Sequence, residues 1–97
     1  MDRFEHWREV MQTASDENAV EQAVREYAAG IPAALVSMLP IECQRGLVER
    51  DVQRAAITLM HCELTYKGDA AVAELLHQIA QTYAAASQRI ARIAKYA

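Results

Sequence analysis

Apolar residues recur at helical spacing through the last third of the chain. Over residues 69–97 they are separated alternately by four and three positions: Val72, Leu76, Ile79, Tyr83, Ala86, Ile90, Ile93 and Ala97. A seam of this kind is typical of a helix that packs along its length against another helix. The opposite column is polar and consists of Glu74, Gln81, Gln88 and Lys95. The pattern therefore predicts one long amphipathic helix over 69–97.

The preceding segment, 48–67, repeats this spacing. Its apolar positions are Val48, Val52, Ala55, Leu59, Cys62 and Tyr66. Between the two segments, Lys67, Gly68 and Asp69 offer a C-terminal cation, a left-handed glycine cap and an N-cap. We therefore expect an antiparallel αα-hairpin over 47–97. A second apolar stripe in 48–67, formed by Ile57, Met60 and Leu64, predicts that this helix is covered on two sides. The C-terminal helix would cover one side, and the N-terminal helices or a second subunit the other.

The first half of the chain is divided by glycine and proline into short helical segments. We expect helices over 2–13 and 16–29, the second ended by Gly30 in a left-handed conformation. Pro32 should open a third helix over 33–39, which is apolar on nearly all sides and is expected to be buried. A further turn over 41–45 should stop at Gly46.

These elements predict an all-α fold. It would be a small helical bundle in one domain, 1–97, with short N-terminal helices (1–46) packed on the C-terminal hairpin (47–97). A chain of 97 residues buries roughly 60–65% of its unfolded surface. Such a core leaves little room for a deep active site.

Charge and apolar-run length bear on the possible partners. The net charge of −3 argues against a nucleic-acid binder that neutralises phosphates. The longest apolar run, 31–39, is interrupted by Pro32 and Ser37 and is too short to span a bilayer. No signal peptide is evident at the N-terminus. Cys43 and Cys62 lack a CxxC partner and are interpreted as reduced thiols of a cytoplasmic protein.

Two groups of residues contain types that ligate metals. Glu74 and His77 form an E-x-x-H pair, and the hairpin would bring Glu63 near them. Glu74 belongs to the polar column, however, so a surface pair is favoured and no metal is expected. His61 and Cys62 are adjacent on a helix and point about 100° apart, which disfavours one shared zinc ion.

Basic residues gather at the open end of the predicted hairpin. The candidates for an anion patch are Arg50, Arg54, Arg89 and Arg92. Acidic residues are interleaved with them, so a solvated end with surface ion pairs is the favoured interpretation. Binding of an anionic ligand or an acidic partner segment is the alternative.

Several apolar or aromatic positions are candidates for an interaction surface: Trp7, Ile57, Met60, Leu64, Ile93 and Tyr96. The aromatic residues have the spacing of core positions, whereas an exposed Trp7 would mark a docking surface. The end of the last helix, 90–97, extends past what its partner helix can cover. An N-terminal helix of the same chain or a second subunit could cover it, and a homodimer is expected.

Sequence motifs of enzymes are absent. The chain contains no Gly-rich phosphate loop, no GxSxG, no HExxH and no calcium loop. We therefore expect no catalytic activity and no cofactor. The sequence favours a small cytoplasmic helical module for protein–protein interaction, with a regulatory or adaptor role and a homodimeric state. The alternative is a helical bundle that binds a small molecule or a metal.

Overall fold

The computed structural model describes residues 6–7, 9–10 and 13–96, and these residues are helical or in short connections. Within them lie five bounded helices: α1 (Glu17–Ala29), α2 (Ala33–Val36), α3 (Ile41–Val48), α4 (Val52–Thr65) and α5 (Ala70–Tyr96). Residues 6–7, 9–10 and 13 are also helical, but most of the predicted helix over 2–13 lies outside the described residues. No strand occurs in the described part of the chain, so the all-α prediction is confirmed.

The long C-terminal helix is confirmed as α5, which spans 27 residues. Its seam is buried from Val72 to Ile90, and Leu76, Ile79 and Tyr83 are almost completely enclosed. Asp69 caps its first turn, because one carboxylate oxygen accepts hydrogen bonds from the amides of Ala71 and Val72. The apolar period therefore determines both the length and the buried face of α5.

The predicted start of the preceding helix, at Val48, is wrong. Val48 is the last residue of α3, and α4 begins at Val52 after a break at residues 49–51. The Asp51 carboxylate accepts hydrogen bonds from the amides of Gln53 and Arg54, which fixes the start of α4. Val48 thus leaves the seam, and its side chain is 80% exposed.

The predicted stop at Gly46 is also wrong. Helix α3 continues through Gly46 to Val48, with Gly46 buried. A Cβ at Gly46 would lie 3.1 Å from Leu59 Cγ, so glycine here permits the close approach of α3 to α4. Gly46 is a packing residue and does not break the helix.

The left-handed caps predicted at Gly30 and Gly68 do not occur, since no described glycine has positive φ. Gly30 keeps a right-handed helical backbone, and its amide donates to the carbonyls of Glu26 and Tyr27. Helix α4 ends at Thr65, because the backbone of the next residue, Tyr66, is extended. Neither end requires a left-handed residue.

The third predicted helix is shorter and more exposed than expected. Helix α2 covers only four residues and has no buried side chain. Leu35 and Met38 are exposed, and only Leu39, beyond the end of α2, enters the core. A single helical turn presents too little continuous surface to be enclosed, so the prediction of a buried helix is wrong.

The core lies where α5 contacts α4 and α1, and α3 packs on the outer side of α4. Val20 and Val24 of α1 join the α5 seam in this core. Trp7 is buried and meets Tyr27 edge to face, with the ring centroids 5.7 Å apart. None of the described helices is long and apolar enough to cross a lipid bilayer.

Candidate interaction surfaces

One face of α4 is apolar and exposed. Ile57, Met60 and Leu64 are 70%, 44% and 82% exposed, and their spacing of three and four residues places them on one side of the helix. On the opposite side, Leu59 and Cys62 are buried. The described part of the chain therefore leaves the second predicted stripe uncovered. We call Ile57, Met60 and Leu64 the α4 face.

The remaining predicted interaction residues lie elsewhere. Trp7 is in the core against Tyr27, so it does not present an exposed anchor. Ile93 is half-buried and packs against the core cluster. Tyr96 is the last residue of α5, and its side chain lies outside the described part.

The four arginines of the predicted anion patch have different environments. Arg89 is half-buried, and both its Nε (2.9 Å) and its Nη2 donate to the carbonyl oxygen of Ala14. It thereby joins α5 to the segment that precedes α1. Arg54 and Arg92 are exposed, and Arg50 is exposed at the edge of a cleft. Sequence reasoning missed the Arg89 contact because its acceptor is a backbone carbonyl 75 positions away.

Replacing Arg89 with alanine is expected to lower the free energy of unfolding by about 1–3 kcal/mol, because a half-buried carbonyl loses its charged donor. Urea unfolding at fixed temperature measures this change. Arg92→Ala is the matched control on the same helix: its side chain is exposed, and the expected change is within about 0.5 kcal/mol. Equal stabilities of the two variants would contradict the structural role of Arg89.

The predicted metal candidates are only partly brought together. His77 Nδ1 of α5 donates to Glu63 Oε1 of α4, since a carboxylate can only accept. This contact leaves His77 Nε2 available to a further group. Glu74 is exposed, and no group of three or more His, Cys, Asp or Glu residues in the described part could hold a metal ion.

A cleft of about 630 Å³ lies between α5 and the segment that follows α1. Its apolar lining includes Tyr27, Ile31, Leu35 and Leu75, and His77 stands beside them. Gln81 adds a polar group. The volume is in the range of small-molecule sites, although this cleft is open to solvent.

The two cysteines are free and buried. Burial, together with hydrogen bonding and electrostatic interaction with the Cys62 thiol, raises the pKa of Cys43 to about 12. A thiol with so high a pKa stays protonated at neutral pH and is a poor nucleophile. Cys43 therefore acts as a small apolar core residue.

Comparisons with protein-family models, curated proteins and solved structures gave no match to this chain. The functional argument therefore rests on the surfaces described above.

Proposed function

We propose that this chain is a small helical interaction module that forms a homodimer through the α4 face. The observation that carries the proposal is the exposure of three large apolar side chains on one side of a helix whose other side is fully packed. Surfaces of this kind commonly mark protein–protein contacts. A two-fold axis across α4 would oppose Ile57 of one subunit to Leu64 of the other.

The strength of such a dimer follows from two opposing terms. Full burial of a large apolar side chain contributes about 1.5–3 kcal/mol, and a symmetric dimer would cover six of them. Association costs roughly 4–15 kcal/mol in lost translational and rotational freedom. Arg54 and Lys67 lie near the two ends of the face, and the two-fold arrangement brings these like charges towards each other. We therefore expect a dimer of moderate affinity that dissociates on dilution.

The test is sedimentation velocity at roughly 1 and 100 μM, which brackets micromolar affinity. We expect a concentration-dependent dimer for the unmodified chain and a monomer for Leu64→Glu, since a carboxylate placed against Ile57 of the other subunit would be desolvated. Gln88→Glu makes a similar substitution at an exposed position of α5 and should leave the dimer intact. A monomeric unmodified chain, or an undisturbed dimer in Leu64→Glu, would reject the proposal.

A cytoplasmic location and an adaptor role belong to this proposal. Two free, buried thiols suit a reducing compartment. An adaptor needs a further surface once α4 is occupied, and the chain has other open clefts.

The alternative function is binding of a small molecule in the cleft beside His77. The observation in its favour is the apolar lining next to a histidine whose orientation is fixed by Glu63. Native mass spectrometry of the purified protein separates the two functions. A dimer without added mass supports the interaction module, whereas retained mass of a metabolite or metal supports the alternative.

A further inference from the structure

A second cleft, of about 670 Å³, lies between the C-terminal half of α1 and helix α3. Its apolar lining includes Ala28, Val36, Ile41, Leu47 and Val48. Ile41 and Val48 are 63% and 80% exposed, and they lie two turns apart along α3. The cleft is thus an elongated apolar surface that the described part of the chain does not fill.

The charged residues that line this cleft are predominantly basic. Arg25, Arg45 and Arg50 face a single carboxylate, that of Glu49. The chain as a whole has a net charge of −3, so this balance is opposite to that of the molecule. None of the three arginines forms an ion pair with a described carboxylate. A ligand carboxylate would therefore not displace an existing ion pair among these residues.

Two of these arginines also line another cleft, which contains acidic residues. Arg25 and Arg50 also line a smaller cleft with Glu17, Glu21 and Asp51. Arg45 lines the apolar cleft but not this smaller, acidic one. Arg45 is consequently the most informative of the three for a test.

We propose that the cleft between α1 and α3 binds an acidic amphipathic helix of another protein, whose apolar side chains would lie along Ile41 and Val48 and whose carboxylates would meet Arg25, Arg45 and Arg50. An open, elongated groove fits a helix better than a free fatty acid, which is usually more fully enclosed. Guanidinium groups bind carboxylates through paired hydrogen bonds, which gives the site its preference for acidic partners. The proposal goes beyond dimerisation, because it uses a surface on the other side of α3 from α4.

The test is a charge-reversal selection. A display library of helical peptides of about 15–20 residues, with one leucine face and randomised flanking positions, is selected against the unmodified chain and against Arg25→Glu/Arg45→Glu. The unmodified chain should enrich Asp and Glu at the flanking positions. The reversed variant should instead enrich Lys and Arg, because the sign of the rim has changed.

Affinity measurements give the size of the effect. For a selected acidic peptide labelled with a fluorophore, Arg45→Glu should weaken binding at least tenfold, since one charge-assisted hydrogen bond contributes about 1.5–3 kcal/mol and tenfold corresponds to 1.4 kcal/mol. Arg92→Glu is the control, because Arg92 is exposed on α5 and does not line the cleft. Both arginines are exposed, so circular dichroism should show unchanged helicity in each variant.

Three outcomes would overturn the proposal. The selection could enrich the same peptides with the reversed variant as with the unmodified chain. Arg45→Glu and Arg92→Glu could have equal effects on affinity. Decanoate could displace the labelled acidic peptide at a lower concentration than the unlabelled peptide does, and this displacement could depend on Arg45. That result would assign the cleft to a free carboxylate amphiphile. None of these outcomes bears on the proposed dimer, which is tested separately with Leu64→Glu.

Discussion

Replacing Leu59 with alanine is expected to lower the free energy of unfolding by about 2–5 kcal/mol. The side chain is fully buried on α4, in the core that α4 forms with α5, and it also meets α3 at Gly46. Deleting it removes apolar burial and leaves a cavity that close-packed helices refill only in part. Denaturant unfolding followed by circular dichroism measures the loss.

Gly46→Ala provides the matched test of this packing. Its Cβ would lie 3.1 and 3.2 Å from Leu59 Cγ and Cδ2, and 3.4 Å from a methyl group of Thr58. In an otherwise unmodified chain we expect Gly46→Ala to lower the free energy of unfolding by about 1 kcal/mol, because overpacking outweighs the better helix propensity of alanine. In a Leu59→Ala background the clash is relieved, and the same substitution should stabilise by up to about 1 kcal/mol. An identical effect of Gly46→Ala in both backgrounds would show that the two residues are not coupled.

Alkaline pH should destabilise the fold through Tyr83. Burial, the larger cause, and the nearby Tyr27 raise the pKa of Tyr83 from 10.0 to about 12. Between these values the unfolded chain binds fewer protons at Tyr83 than the folded one. The contribution of Tyr83 to stability is therefore fully present below pH 10 and is lost as the pH rises towards 12. At about 1.4 kcal/mol per pKa unit, the loss is roughly 2–3 kcal/mol.

Tyr83→Phe should remove this part of the pH dependence while it retains the ring in the core. The measurement is the free energy of unfolding in urea between pH 9 and 12. Part of the decline should remain, because the raised pKa of Cys43 acts in the same direction. Tyr66→Phe is the control, since Tyr66 lies at the edge of the core and that variant should keep the whole decline. If Tyr83→Phe declined as steeply as the unmodified chain, Tyr83 would not be the group responsible.

The elements that the sequence predicts well are those in which the apolar period and the local caps agree. The α5 seam is regular and begins at a strong N-cap, Asp69, so both the helix and its buried face are predictable. At the break before α4 these two signals disagree. Val48 continues the apolar period, whereas the Asp51 carboxylate accepts hydrogen bonds from two backbone amides and starts a new helix. Aspartate directly before an apolar residue is a recognisable N-cap signal, and Asp51 before Val52 is the signal in the sequence that marks the break.

The candidate surfaces were also predictable only in part. The positions of Ile57, Met60 and Leu64 on one face follow from spacing alone. Whether another helix of the same chain covers them depends on tertiary packing, which periodicity does not encode. The cleft arginines, Arg25 and Arg45, come from two helices whose relative placement depends on the break at 49–51, so sequence reasoning did not combine them.

The burial of Trp7 against Tyr27 provides the protein with a built-in optical probe. Trp7 is the sole tryptophan, so intrinsic fluorescence reports on the contact between the first described residues and α1. Far-ultraviolet circular dichroism is instead dominated by α4 and α5, which contain most of the helical residues. The two signals therefore report on different parts of the same molecule. Their coincidence or separation during denaturation distinguishes one cooperative unit from an N-terminal layer that detaches first.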